Sequence, residues 1–303
     1  MKNPLQRRVE QTIVSRIALF TSWWARKLPL RTVWAIADAC GALIIRLFPS
    51  RQRLAERNLA ATFPELSEAE RHRIFRDSVR NICRTMAEVF RLPALTPGDL
   101  RQLIKAPDLS PIREALEAGE GVLIVSAHYG NWEWLGARLS ADLPVPFTVI
   151  ARDAAHNLTS SLINASRESH GMRVIGRQET RRMLKALHGG EMLGIVPDQH
   201  ASQGGELLEF LGRPAWTFVG PATLAMRTGA RVFPCFCVRT FGEGFVLEVQ
   251  PEVKMVDTGD RAADLTENTR RVTAAIERAI RAHPEQWLWL HDRWRPEQPQ
   301  KAE

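Results

Sequence analysis

The feature that most constrains the fold is a continuous apolar run, GVLIVSA, at residues 121–127. A strand that is apolar at every position is buried on both faces, which is typical of a parallel sheet covered by helices on both sides. From residue 111 onwards, helical and strand-like patterns alternate in the order β-α-β-α-β-α-β-α-β-β-α. This order predicts an α/β fold with a largely parallel central sheet flanked by helices.

The basic charge of the chain is concentrated at its N-terminus. The net charge is +7, but residues 1–57 contain eleven Lys or Arg and three acidic residues, a net +8, so the remainder sums to about −1. A basic segment favours contact with a polyanion, either nucleic acid or anionic lipid. Trp23, Trp24 and Trp34 lie among these cations, as is typical of a helix at the headgroup level of a bilayer. The alternative is that these rings only pack the helices onto the body.

Two amphipathic helices are predicted in this segment, over residues 8–28 and 31–48. A helix that crosses a bilayer needs roughly 20 mostly apolar residues. The more apolar of the two is interrupted by Asp38 and Arg46, so it falls short of that length. We therefore expect these helices to lie on a membrane surface and not to cross it.

The chain is predicted to divide after these amphipathic helices. Residues 1–50 form the membrane-associating part, and residues 51–303 form the α/β domain. The start of that domain, 51–106, is a helical lead-in, in which Ser67 and Glu70 have the spacing of a capping box.

Two of the four cysteines, Cys235 and Cys237, alternate within the run VFPCFCV. Alternation in a strand places both side chains on one face. Neither a second pair nor a histidine at ligand spacing accompanies them, so we predict buried structural thiols and no metal site.

The strongest chemical signal is the segment HYGNWEW, in which His128 follows directly on the buried strand and Glu133 comes five residues later. On a single helix, five residues would leave the two side chains ~140° apart. We therefore expect His128 in the turn after the strand, Asn131 as the N-cap, and Glu133 in the first turn of the next helix. Glu133 would then accept a hydrogen bond from the His128 ring and raise its basicity.

That arrangement is a general base with an orienting carboxylate and no protein nucleophile, so the attacking group must come from the substrate. The alternative is that His128 is a polar residue meeting solvent at the end of a strand. Its position at the carboxyl end of a buried strand, the usual ligand-binding edge of such sheets, favours the chemical interpretation.

Five segments of the chain together resemble one known family. They are HYGNWEW, RNL…FPELSEAERHRI, VPDQH, GPATLAMRTGARVFP and HPEQWLWLHDRW. The chain resembles, over residues 51–295, the bacterial lipid A biosynthesis acyltransferases, such as the lauroyl and myristoyl transferases that add secondary acyl chains. These belong to the wider superfamily of glycerophosphate and lysophospholipid acyltransferases.

The resemblance implies an H-x4-E catalytic pair at His128 and Glu133. It also implies that Arg152 and Asp198 line the binding site of the acceptor. Both residues end predicted strands, as His128 does, and the carboxyl ends of parallel strands meet at one edge of a sheet. An arginine there suits a phosphate of the acceptor, and Asp198 suits a sugar hydroxyl or Arg152 itself.

The function implied is an O-acyltransferase that moves a fatty acyl chain from an acyl carrier protein thioester to a hydroxyl of a lipid A precursor. We expect it to act without a cofactor or metal ion, at the cytoplasmic face of the bacterial inner membrane. Its expected partners are the donor, a lipid or glycolipid acceptor and an anionic membrane surface, and no nucleic acid.

Three alternatives stay open at this point. The acceptor can be another glycolipid, such as a mannosylated inositol lipid, or a lysophospholipid acylated from acyl-coenzyme A. The same pair can activate water and hydrolyse a thioester. The chain can also be a non-catalytic binder of membranes or nucleic acid, although its concentration of charge in a Trp-rich amphipathic end favours lipid over nucleic acid.

Overall fold

The computed structural model describes residues 16, 19–151, 158–202, 204–240 and 244–295. The helices are α1 (19–27), α2 (Leu30–Leu47), α3 (Pro49–Thr62), α4 (Glu68–Arg91), α5 (Pro97–Leu103), α6 (Ser110–Glu117), α7 (Trp132–Asp142), α8 (Leu158–Glu168), α9 (Thr180–His188), α10 (Gly220–Thr228) and α11 (Arg261–Ala282). The strands are β1 (Ile104–Lys105), β2 (Val122–Val125), β3 (Phe147–Ala151), β4 (Met172–Gly176), β5 (Met192–Ile195), β6 (Gly205–Phe210), β7 (Arg213–Phe218), β8 (Arg231–Thr240) and β9 (Gly244–Val249).

Seven of these strands form a central sheet in the order β1-β9-β8-β2-β5-β3-β4. Neighbouring strands run parallel, except that β8 and β9 are antiparallel. The predicted α/β fold with a largely parallel sheet is therefore confirmed. Strands β6 and β7 form a separate antiparallel hairpin.

Strand β2 is buried on both faces, as its apolar run predicted. Leu123 and Val125 pack into one core cluster, with side chains of α3, α4, α9, α10 and α11. Val122 and Ile124 pack into a second cluster, with side chains of α5, α6 and α7. Helices therefore cover both faces of the sheet, which leaves its edges as the places where ligands can approach.

The register of the sheet determines which loops meet at its carboxyl edge. Val125 pairs with Ile195 at the ends of the parallel strands β2 and β5, and the Ser126 amide donates to the Ile195 carbonyl at 2.9 Å. His128 and Asp198 are each the third residue beyond this last pair. Equal offsets on adjacent parallel strands bring the two side chains together.

Three elements add to the predicted α/β order. The segment 93–107 contains α5 and the short strand β1. Gly205 begins the β6–β7 hairpin. Strand β1 pairs with the outer side of β9 and so forms that edge of the sheet.

Helix α2 packs along α4. Val33 and Ala37 are buried in a cluster with Ala87 of α4, and Arg84 makes a two-point ion pair with Asp38 at 2.7 and 2.6 Å. The predicted domain boundary at residue 50 stays a prediction, since α2 also contacts the body.

The N-terminal helices expose large apolar side chains. Phe20 is 64% and Trp23 63% exposed on α1, and Leu43 and Leu47 are exposed on α2. Among the described residues no single helix is long and apolar enough to cross a membrane; α2 and α3 pass that test only when joined, and they meet at 94°. Of the three tryptophans predicted at a bilayer surface, only Trp23 is exposed, because Trp24 and Trp34 pack inward.

Candidate active site

The centre of the site is a hydrogen-bonded pair, His128 and Asp198. The His128 ring Nδ1 lies 2.9 Å from Asp198 Oδ1, and the His128 amide donates to Asp198 Oδ2 at 3.0 Å. The indole of Trp287 donates to the same Oδ2 at 2.9 Å. Burial alone would raise the pKa of Asp198, but the charge and hydrogen bonds of His128 and the bond from Trp287 bring it below its ordinary value.

An ionised Asp198 selects one tautomer of the His128 ring. Because the carboxylate only accepts, the proton lies on Nδ1 and the lone pair of the neutral ring lies on Nε2. His128 lines a cavity, and no residue in the described part of the chain hydrogen-bonds to Nε2. The pair therefore has the geometry of a general base held by an orienting carboxylate.

Two further titratable groups lie behind Asp198. Burial lowers the pKa of His291 to about 4, and its Nε2 accepts a hydrogen bond from the His200 amide. Burial also lowers the pKa of Arg293, to about 10, while the charge of Asp198 opposes that shift. A buried cation beside the carboxylate favours its ionised form.

Glu133 lies at the predicted position, but its hydrogen-bond partner is not the predicted one. It lies in the first turn of α7, and Asn131 is the N-cap, accepting from the Trp134 amide at 2.9 Å. The expected hydrogen bond from His128 to Glu133 is wrong in this structure, because the ring bonds to Asp198 instead. Glu133 accepts two hydrogen bonds from Arg167 of α8, at 2.6 and 2.7 Å. A two-point bond with a full positive charge is stronger than one with a neutral imidazole.

Glu133 still reaches the histidine indirectly, through Trp132. The Trp132 indole donates to Glu133 Oε1 at 3.0 Å, and its ring lies 5.1 Å from the His128 ring, centroid to centroid. Burial lowers the pKa of Arg167, but the Glu133 charge and hydrogen bond raise it to a net value above the ordinary one. Arg167 therefore stays charged beside Glu133, and their pair fixes one side of the Trp132 ring.

These side chains surround a cavity of about 230 Å³, here called the His128 cavity. Its polar lining is formed by Ser126, His128, Glu133, Arg167, Arg177 and the hydroxyl and amide side chains of α8. Apolar side chains from both core layers also line it: Ile124, Leu135, Phe147, Val149, Met172, Ile195 and Val196. A cavity with both polar and apolar lining suits a molecule with a reactive head and a hydrocarbon tail.

The other two predicted site residues have different outcomes. Arg152 lies outside the described residues; β3 ends at the preceding residue, Ala151, which lines the His128 cavity. Asp198 was predicted to face the acceptor. Both of its oxygens instead accept from His128 and Trp287, and the side chain is buried, so it is not free to bind an acceptor hydroxyl.

Three residues of the site were not predicted. Trp287 lies within the segment HPEQWLWLHDRW, which carried the family resemblance but gave no role to this side chain. Arg167 had no signal in its helix. Ser126, two residues before His128, has a buried hydroxyl that lines the cavity and has no hydrogen-bond partner among the described residues. The sequence signal that could have pointed to Ser126 is its spacing, because residues two apart in an extended segment face the same side.

Cys235 and Cys237 lie on one buried face of β8, as predicted, within a single core cluster. Burial raises the pKa of both thiols well above the ordinary value. They are therefore protonated core side chains.

Comparison with known proteins identifies the family. The family model described as bacterial lipid A biosynthesis acyltransferase matches residues 2–296. The chain belongs to the bacterial lipid A biosynthesis acyltransferase family. The family is that of glycolipid acyltransferases, and the protein is an acyl-transferring enzyme. The match includes the N-terminal helices as well as the α/β core.

Named relatives of this acyltransferase fall into two groups. It is 25% identical to a lipid A biosynthesis palmitoleoyltransferase of Escherichia coli, over 90% of this chain and 88% of the relative. It is 25% identical to the lauroyltransferase of the same organism, over 91% and 90%. It is also 30% identical to a phosphatidylinositol mannoside acyltransferase of Mycobacterium tuberculosis, over 72% of this chain and 69% of the relative.

Proposed function

We propose that the protein transfers a fatty acyl chain from an acyl carrier protein thioester to a hydroxyl of a lipid A precursor, with His128 as the general base. The observation that carries this proposal is the His128–Asp198 pair at the wall of a cavity with both polar and apolar lining. The apolar part suits an acyl chain, and Nε2 of the neutral ring suits a hydroxyl proton.

In the proposed reaction, His128 Nε2 takes the proton of the acceptor hydroxyl as its oxygen attacks the thioester carbonyl carbon. The tetrahedral oxyanion then collapses, the carbon–sulfur bond breaks, and the imidazolium returns its proton to the leaving thiolate. Asp198 stabilises the imidazolium between these steps. The buried Ser126 hydroxyl is available to donate a hydrogen bond to the oxyanion.

The polar lining has a separate role in this proposal. Glu133 and Arg167 hold Trp132 against the His128 ring, so Glu133 supports the base through Trp132. Arg152 follows directly on β3, and we assign it to a phosphate of the acceptor because its planar guanidinium fits a phosphate at two points.

The reaction is tested with purified full-length protein, acyl carrier protein thioester and acceptor in detergent micelles. We expect an ester product by mass spectrometry, one thiol released per ester, and negligible free fatty acid without acceptor. Fatty acid release at the same rate with and without acceptor would make the protein a thioester hydrolase. Acyl-coenzyme A in place of the carrier protein identifies the donor.

A second candidate acceptor is a mannosylated phosphatidylinositol, because two relatives named phosphatidylinositol mannoside acyltransferases match 73% and 72% of this chain. Parallel assays with a lipid A precursor and with this glycolipid distinguish the two. Higher kcat/KM on the mannosylated lipid would reassign the acceptor and leave the role of His128 unchanged.

Acyl transfer to a lipid acceptor is proposed to take place at the cytoplasmic face of the bacterial inner membrane. The support is the exposed apolar side chains Phe20 and Trp23 on α1 and Leu43 and Leu47 on α2, in a segment with net positive charge. Basic residues near an anionic surface contribute about 1 kcal/mol each, and salt screens this contribution.

Vesicle flotation tests the membrane proposal. Binding to anionic vesicles should weaken with salt without vanishing, and Phe20→Ser with Trp23→Ser should weaken it further. Protein that resists extraction from membranes by both high salt and alkaline carbonate would mean that the segment spans the bilayer. Retention by DNA in place of anionic vesicles would favour a nucleic-acid binder.

A further inference from the structure

A buried polar network lies beneath the turn that carries His128. Its centre is an ion pair between Glu88 of α4 and Arg239 of β8, joined at two points at 2.6 and 2.8 Å. Glu88 is fully buried and Arg239 is 8% exposed. An ion pair in such a place is costly to desolvate, so it depends on the hydrogen bonds that satisfy both partners.

The network holds Gly130 and Asn131, two of the four residues between His128 and Glu133. Asn131 Nδ2 donates to Glu88 Oε2 at 2.7 Å, while the Gly130 carbonyl accepts from Thr85 Oγ1 at 2.9 Å and from Asn81 Nδ2 at 3.2 Å. Arg239 in turn donates to Asn81 and Thr85.

The turn also lies against β8, and only glycine fits at its tightest point. Gly130 has a positive φ of 56°, and a Cβ there would meet the Cys237 carbonyl oxygen at 2.0 Å. The Asn131 amide donates to the same carbonyl at 2.8 Å. The conformation of this turn therefore depends on where α4 and β8 hold it.

The remaining oxygen contact of Glu88 comes from outside the α/β core. The Trp34 indole of α2 donates to Glu88 Oε1 at 2.5 Å, and the Arg84–Asp38 ion pair lies beside it. Trp34 belongs to the helix that also exposes Leu43 and Leu47. One helix thus has an outer apolar ridge and an inner hydrogen bond to the network beneath His128.

We infer that Trp34 is a positioning residue, which fixes the His128–Glu133 turn through Glu88 and Asn131, and that α2 is part of the catalytic scaffold. This inference rests on the proposed role of His128. Without the indole N–H, Glu88 Oε1 keeps only its Arg239 donor, so the carboxylate is held less firmly in the position that accepts from Asn131. The turn then samples more conformations, and His128 spends less time in reach of the acceptor hydroxyl.

The direct variants Glu88→Gln and Arg239→Ala leave a buried charge without a partner and are expected to unfold the protein. Trp34→Phe is the sharper test, because it keeps an aromatic ring and removes the N–H. Trp24→Phe is the matched control: Trp24 of α1 also packs against the N-terminal helices and α4, in the clusters that contain Phe90 and Val33, and it makes no hydrogen bond to Glu88.

The assay uses full-length protein with acceptor dispersed in detergent, so that membrane binding plays no part. We expect kcat of Trp34→Phe to fall about tenfold, in line with the loss of a hydrogen bond to a charged group. The KM values should change less than kcat, and amide hydrogen exchange over residues 129–135 should be faster than in Trp24→Phe. Both variants should remain folded at the assay temperature, as measured by thermal melting.

Equal kcat and equal exchange in the two variants would overturn the inference and leave Trp34 as a packing residue. Equal losses of both activity and melting temperature in the two variants would also overturn it. The packing of the N-terminal helices would then affect activity only through stability. His128→Ala keeps this test separate from the proposed function. If that variant is active, the proposed function fails; if it is inactive and Trp34→Phe is unimpaired, only this inference fails.

Discussion

Among the described residues, two cavities lie at opposite edges of the same sheet, and the smaller one contains the proposed base, His128. The larger, of about 730 Å³, lies where β8 begins, between the end of α10 and the start of α11. We call it the amino-edge cleft; its charged side chains are Arg227, Arg231, Glu252, Asp257, Arg261 and Asp264. The His128 cavity has less than half that volume.

The two cavities differ in what their charged groups do. In the amino-edge cleft, Arg231 pairs with Glu252, and Asp264 accepts from the amide and hydroxyl of Thr258, so neighbouring segments bind each other. At the other edge, His128 and Trp287 come from distant segments, and both hydrogen-bond to the buried carboxylate of Asp198. This arrangement leaves the basic Nε2 of His128 at the cavity. We therefore identify the candidate site from its converging polar groups and not from the volume of the cavity.

The largest expected effect is on His128. His128→Ala should lower kcat by about 10²–10⁴-fold, because it removes the basic Nε2 that no described residue hydrogen-bonds in the His128 cavity. Ester formation is measured by mass spectrometry, with circular dichroism to establish that the variant is folded. A folded variant with near wild-type turnover would remove the basis for distinguishing the two cavities.

Asp198→Asn should lower kcat less than His128→Ala does, by about 10²–10³-fold, because the ring then loses its fixed tautomer. The lowered pKa of Asp198 adds a stability prediction. A carboxyl whose pKa falls on folding stabilises the protein above its unfolded pKa, about 3.9. That contribution disappears as the pH falls through the folded pKa.

Urea unfolding between pH 3 and pH 7 measures the consequence. The wild type should lose stability more steeply than Asp198→Asn at the acid end. Parallel curves would mean that the folded protein does not depress the pKa of this carboxyl. An Asn variant with wild-type kcat would return the orienting role to Glu133.

Glu133→Gln should have a smaller effect, about tenfold on kcat, because it supports His128 through Trp132 and not by direct contact. Combining it with His128→Ala should cost little more than His128→Ala alone, since residues of one catalytic unit are not additive. Fully multiplicative losses in the double variant would show that Glu133 acts on a separate step, such as acceptor binding with Arg167.

The sequence predicted the edge of the sheet better than it predicted the partners at that edge. His128 and Asp198 were both placed at the ends of parallel strands, and general sheet geometry then brings them together. The identity of the orienting carboxylate depended on register: equal offsets beyond Val125 and Ile195 favour Asp198. Register between strands that are far apart in sequence has no local signature.

Contacts made by distant helices were equally hidden. Arg167 of α8 takes Glu133 away from the histidine, and Trp34 of α2 reaches Glu88 of α4. Helix α2 was predicted over residues 31–48 and is observed over Leu30–Leu47, because helical spacing is local. The faces that meet are decided by tertiary packing, so Trp34 was interpreted as an interfacial residue when its indole points inward.

The smallest expected effect is in the amino-edge cleft, and it tests the comparison from the other side. Arg227 and Asp257 are exposed there, and exposed substitutions away from special features change stability by about 0.5 kcal/mol or less. Arg227→Ala with Asp257→Asn should therefore leave the melting temperature close to that of the wild type. Both KM values should stay within about twofold of wild type.

The assay should include the carrier-protein donor, because a large charged partner is the ligand most suited to a wide, charged cleft. A raised KM for that donor alone would make the cleft a docking site for the carrier, and a lowered kcat would show that it takes part in the reaction. Either result would mean that volume, and not only convergence of buried polar groups, identifies function in this fold.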